Sequence, residues 1–326
     1  MSINLNALSN VRRLLFDVPL QPLQGNRFQP TGFPDLGAAT YQAGETDCLL
    51  VESAQSMANR LELQIWDEGK RELKDACKGL SYVRVEQEGR YLTSSLTDAH
   101  RLNSPYILEG GDKTFFATVR DATNTLATGP IDRSLLAEVL ARYDINSLLH
   151  GIFLAKKELA GGRLRVARAL SACVEARQVQ VAASGGVKND HVDPSGDTSK
   201  GFGNAPFHRE EYTAAEITAY FNLDLEQIRG YGLPEAATNL LILLALYKVR
   251  SLLDGGLRLR TACDLCVRPG YDFTARSPEG FVLPALKDLE PAVKAAIAAC
   301  ARGKLFGGEN GVTTVTFTGS SKRQAK

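Results

Sequence analysis

The sequence is short of several things, and each shortage excludes something. Among 326 residues the formal net charge is only +1, so there is no global basic field of the kind that drives nonspecific nucleic-acid binding. Any contact with a polyanion must come from local patches. There are six cysteines and four histidines. The cysteines sit mostly in apolar surroundings, which points to reduced thiols in a cytoplasmic protein rather than a disulfide framework. The opening MSINLNALSNVRR lacks the apolar core of a secretory signal. The longest apolar run, AATNLLILLALY at 236–247, suits a buried core helix and is shorter than the roughly 20 residues a bilayer demands. No internal repeat, Walker-type phosphate loop or G-x-S-x-G elbow is present.

What is there is a chain that is 44% hydrophobic, enough for one large domain or two modest ones. VRRLLFDVPL at 11–20 reads as a buried strand. A long Gly/Pro-rich loop, 21–47, follows it, and loops of that length are often functional. From Ser53 to about Leu63 a helix is expected. Ala54, Met57, Ala58 and Leu61 share its apolar face, and Ser53 is a fitting N-cap. Short strand-like runs between 80 and 128, TFFATV among them, suggest a β-rich insertion. Residues 132–155 read as a helix broken near 144–146, and 163–183 as a strand or two.

A Gly/Asp/Ser-rich excursion spans 184–206, and PFHREEYTAAEITAYFNLD after it reads as a strand. The segment 235–254 reads as a long helix, LRLRTACDLCVR as another strand, and Pro291–Arg302 as an Ala-rich helix closed by Gly303. The tail 319–326 is expected to be disordered. The order implies an α+β fold, with helices on one side of a mainly antiparallel sheet.

Several residues invite chemistry. Cys263 and Cys266 have metal-ligand spacing, but no second pair or suitably spaced histidines complete a zinc set. They read as structural cysteines on a strand, one buried and one not. His191 and His208 bracket the 184–206 excursion, which holds Asp190, Asp193 and Asp197. A solvated polar loop explains them better than a general base or metal site does. The stretch 156–177 carries six basic and two acidic residues, and Arg163, Arg165 and Arg168 there suit either phosphate contacts or a solvated edge. Gln24-Gly25-Asn26-Arg27-Phe28 combines amide, guanidinium and aromatic groups that can meet phosphates, sugars and bases, and it is equally the composition of an ordinary loop.

Three segments together resemble the repeated backbone subunit of type I CRISPR surveillance complexes (Cascade), a branch of the RAMP superfamily, nearest its type I-G (formerly I-U) variant. PLQGNRFQPTGFPDLG stands where that family has its Asn-Arg loop. LLVESAQSMANRLE matches its first helix with Ser53, Gln55 and Ser56, and 184–206 with the following strand resembles its thumb hairpin.

The resemblance covers about residues 11–275. It implies a ferredoxin-like, RNA-recognition-type core (11–66 and 132–275) with helices on one face. To this it adds a β-rich insertion at 67–131, a thumb-like hairpin loop at 184–206 and a C-terminal extension at 276–318. The implied function is holding CRISPR RNA in a head-to-tail filament of copies, with other Cascade subunits, target DNA and a recruited helicase-nuclease as partners. It implies no catalytic residue, cofactor, metal or membrane. The implied RNA contacts are Asn26, Arg27, Ser53, Gln55, Ser56, Arg60, Arg163, Arg165, Lys188 and Arg209. The excursion 184–212 departs from a basic clamp, with three basic and five acidic residues. A RAMP-type ribonuclease using Asp35, His191 or His208 is the alternative, and an enzyme built on Cys263/Cys266 a further one.

Overall fold

The computed structural model describes residues 3–33, 35, 37–110 and 113–319; the tail expected to be disordered lies almost wholly outside them. The chain opens with β1 (Arg13–Pro22), whose Leu14, Phe16, Val18 and Leu20 alternate into the core. The segment expected as a long loop contains β2 (Gly32–Phe33), β3 (Gly37–Ala38) and β4 (Thr40–Ala43). Next come β5 (Thr46–Glu52) and α1 (Ala54–Glu62). Ser53 caps α1 as its chemistry predicts, its Oγ accepting from the Ser56 N–H at 3.3 Å, and Met57, Ala58 and Leu61 are buried.

The segment 67–131 is mixed, not β-rich. After β6 (Trp66–Asp67) and β7 (Glu72–Leu73) come β8 (Tyr82–Gln87) and β9 (Arg90–Ser94), then α2 (Pro105–Leu108) and α3 (Thr114–Thr123). TFFATV is therefore helical. Phe115, Val119 and Thr123 recur every four residues and are buried, so helical packing overrides the β-propensity of its branched and aromatic residues. The next helix runs as α4 (Arg133–Asp144), breaks at 145–146, resumes as α5 (Ser147–His150) and stops five residues earlier than expected. Gly151 ends it at φ 78°, where a Cβ would lie 2.9 Å from the Val166 carbonyl oxygen.

The chain reverses there into the ribbon β10 (Ile152–Leu154) and β11 (Leu164–Val166). β12 (Leu170–Arg177) and β13 (Gln180–Lys188) follow, then β14 (Ala205–Thr213) and β15 (Glu216–Asp224), so PFHREEYTAAEITAYFNLD is two strands broken at 214–215. After α6 (Leu225–Arg229), α7 (Glu235–Asp254) occupies the expected range. LRLRTACDLCVR forms a hairpin, β16 (Leu257–Arg260) and β17 (Cys263–Val267). α8 (Leu286–Arg302) begins five residues before Pro291, and β18 (Val312–Thr316) closes the described chain.

The fold is α+β. Its main sheet is antiparallel throughout, in the order β16-β17-β1-β15-β12-β5-β4. α7 is long and apolar enough to cross a membrane by length and composition, but it is largely buried on all sides within the core. It packs against α1 and α8, and α8 carries the buried stripe Leu289, Val293, Ile297 and Cys300. β18 pairs in parallel with β8, so the C-terminal extension completes a three-stranded sheet begun in the 67–131 segment.

The sheet curls until its edges nearly meet. Gln29 N–H donates to the Ala262 carbonyl in the β16–β17 turn, and Thr31 N–H donates to Val51 in β5. Two residues of backbone span at most about 7 Å, so the segment after β1 stitches the two edges together.

Candidate nucleic-acid interface

Three elements converge where the sheet edges approach: the start of α1, the loop after β1 and the root of the β13–β14 hairpin. At their centre is Glu52, the last residue of β5, only 1% exposed. It receives Arg60 Nε at 3.1 Å, the Ser56 hydroxyl, and an ion pair from Arg260 of β16. Arg60 also donates to the carbonyl oxygens of Arg258 (3.2 Å) and Leu259, and Arg260 to that of Gln29 (3.1 Å). A buried carboxylate needs such partners, since desolvation without them is costly.

The residues expected to touch RNA fall into distinct surroundings. Ser53 caps α1, Gln55 and Ser56 lie in its first turn, and Arg60 lies in its last turn on the same side as Ser53 and Ser56. Their side chains are largely engaged with the protein: Ser56 and Arg60 turn inward to Glu52, and Gln55 Nε2 donates to Asn59 Oδ1 at 2.9 Å. What the helix start offers outward is backbone. Ala54 and Gln55 are exposed, and first-turn N–H groups have no intrahelical acceptor. Arg168 strengthens the positive character there, donating to the Ala54 carbonyl (3.2 Å) and Gln55 Oε1 (2.9 Å).

Asn26 and Arg27 are exposed on the loop. Arg27 lies 3.7 Å from Glu211, which also pairs with Arg209, so loop and hairpin root share one buried carboxylate. Phe28 and Tyr212 exchange two backbone hydrogen bonds of 2.9 Å. Phe28 is one of the largest fully buried side chains, so it anchors the loop rather than offering a ring to bases. Lys188 sits four ladder positions beyond Arg209, about 13 Å further out on the hairpin. Arg163 turns away to the carbonyl oxygens of Leu126 and Gly129, propping the 67–131 segment. Arg165 stays exposed on β11.

The other chemical candidates take structural positions. Cys263 and Cys266 are three apart on a strand and so face opposite sides of the sheet, the first buried and the second half-buried. Burial pushes the Cys263 thiol up to about 11, away from thiolate reactivity. Asp190 accepts from the N–H groups of Val192, Asp193 and Gly203, which hold its carboxyl below the usual range and fold the excursion's own turn. Among the described residues, no three His, Cys, Asp or Glu side chains form a cluster fit for a metal ion.

The family described as "CRISPR-associated protein GSU0053 (Cas_GSU0053)" matches residues 14–181, just over half of the chain. The chain belongs to this family. The matched span runs from β1 through the stitching loop, α1 and the basic β10–β11 ribbon into β13.

Among solved structures, the chain is similar to one in "CRISPR RNA-guided surveillance complex, pre-nicking", at 14% identity and a TM-score of 0.39, covering 90% of this chain and 88% of that one. It is also similar to Csc2 of Thermofilum pendens, at 8% identity and a TM-score of 0.32, covering 92% and 82%. No curated protein matches it.

Glu52, Arg260 and Arg168 are missing from the sequence-derived set. Glu52 and Arg260 lie about 200 residues apart in the chain, and no local pattern links them. Arg168 was visible as part of the basic stretch, but its contact with α1 depends on where Gly151 reverses the chain.

Proposed function

We propose that this protein is the CRISPR RNA-binding backbone subunit of a type I surveillance complex of the I-G kind. In this reading it polymerises head to tail along the guide in the cytoplasm and presents it for pairing with target DNA. The observation that carries the reading is the convergence, in a CRISPR-associated family member, of an exposed helix start, an arginine-bearing loop and a projecting hairpin. Backbone N–H groups and arginines grip phosphates without regard to sequence, which a guide-holding protein needs. Specificity then comes from base pairing.

The central strand order supports an RNA-recognition-type core. β17-β1-β15-β12 forms the middle of the sheet, with α1 between β1 and β12 in the chain and α7 between β15 and β17. The β13–β14 ribbon, nine residue pairs long and so about 30 Å, suits a thumb that acts by shape, given its acidic balance. The chain then needs no catalytic residue of its own. Other Cascade subunits and a recruited helicase-nuclease supply the chemistry.

The test is purification from cells that also express a CRISPR array and the partner subunits. A large particle carrying RNA of one discrete length is expected. A nucleic-acid-free monomer under those conditions refutes the reading.

A further inference from the structure

We propose that Phe153 and Arg165 form a stacking platform for one unpaired base of a bound single-stranded RNA, beside the start of α1. The proposal rests on the RNA-binding reading above and adds a base-contacting site to it. Phe153 is 54% exposed on β10, between Ile152 and Leu154, both buried. The strand is thus anchored by its neighbours and presents the ring outward. Its register partner on β11 is Arg165, and directly paired residues hold their Cβ atoms about 5 Å apart on one face. The Arg165 guanidinium is exposed and has no ion-pair or hydrogen-bond partner among the described residues.

A phenyl ring and an unpaired guanidinium on one face of the ribbon are suited to a nucleobase. The base offers a π face to the ring and to the planar cation, and its phosphate satisfies the charge. An apolar protein partner would instead bury Arg165 without a counter-charge. The chemistry separates this ring from the exposed apolar side chains of the β13–β14 excursion, such as Phe202, which sit among acidic residues.

The position fits too. Arg168, three residues beyond Arg165, holds the Ala54 carbonyl and Gln55. Three residues of chain span at most about 10 Å, and the Arg168 side chain bridges the rest, so one short single strand can reach both the platform and the start of α1.

The test measures binding of the full chain to an unstructured single-stranded RNA by fluorescence anisotropy, with particle size followed by light scattering. Phe153→Leu keeps apolar area but removes the π face, and it should weaken binding about 5- to 100-fold. Phe153→Trp should bind within a few-fold of the unaltered chain. Arg165→Gln, a surface change that leaves the ribbon intact, should weaken binding independently.

If Phe153→Leu and Arg165→Gln both bind RNA as the unaltered chain does, the platform is overturned while the RNA-binding reading stands. Normal RNA affinity with a smaller particle would assign Phe153 to contact with a second copy, also overturning it. If the unaltered chain binds no RNA, the broader reading fails and the platform with it.

Discussion

Glu52 offers the sharpest test of how this fold is held. Glu52→Gln keeps the shape but removes the charge from a site shared by Arg60, Arg260 and Ser56. Breaking a buried pair by removing one partner costs about 3–5 kcal/mol. Here the arginine side chains are 27% and 24% exposed, so solvent relieves part of that, and about 2–3 kcal/mol is the reasoned cost. At about 2.1 cal/mol/K per residue, unfolding 326 residues carries an entropy near 0.7 kcal/mol/K, so Tm should fall by about 3–4 °C. The assay is thermal unfolding of Glu52→Gln, Arg260→Ala and the double variant. A coupling of at least about 1 kcal/mol is expected between them. Additive losses, or a Glu52→Gln Tm equal to that of the unaltered chain, would show that the carboxylate does not tie the sheet edges.

Burial pushes the Asp144 carboxyl up from 3.8 to about 7, with Glu62 adding to the rise while Ser147, Arg101 and Lys248 oppose it. A raised acid binds its proton more tightly when folded, so its contribution to stability is full below about pH 4 and is lost as pH rises through 7. Asp144→Asn should therefore gain Tm relative to the unaltered chain between pH 4 and 8; a pH-independent difference between the two refutes this. Arg27→Gln, at an exposed position, should lower the salt dependence of RNA binding by about 0.7 in the log–log slope, the value for one single-strand phosphate contact. An unchanged slope removes Arg27 from the phosphate contacts. Replacing 189–204 with a two-residue Asn-Gly turn should leave Tm within about 1 °C, because that excursion is mostly exposed, yet abolish ordered assembly on guide RNA. A large loss of Tm would show that the excursion is part of the folded body.

Some of this architecture was legible because it is written in near neighbours. Ser53 caps α1, and Ala54, Met57, Ala58 and Leu61 repeat at helical spacing. The apolar run within 235–254 announces a core helix, and alternation marks β1. Cys263 and Cys266 are placed on opposite faces by strand geometry alone. Where two local signals competed, the sequence misled. TFFATV has strand-forming residues, but Phe115 and Val119 are also four apart, and the tertiary core chose the helix. Pro291 read as a helix start, yet α8 begins at Leu286.

Other features depend on pairs that no window of sequence contains. Arg60 reads as a surface residue of an amphipathic helix, but the curl of the sheet brings it onto Glu52 and the carbonyls of β16. Phe28 reads as a ring offered to a ligand, but the stitch between β5 and the β16–β17 turn carries it inside. β18 completes a sheet whose other strands lie more than 200 residues earlier. The sequence by itself determined α1, α4, α7, the main strands and the family resemblance, because these rest on spacing and on contiguous motifs. Only the tertiary structure decided which charges are spent inside the protein and which, like Arg165, remain free, because burial and pairing are properties of the closed sheet and not of any segment in it.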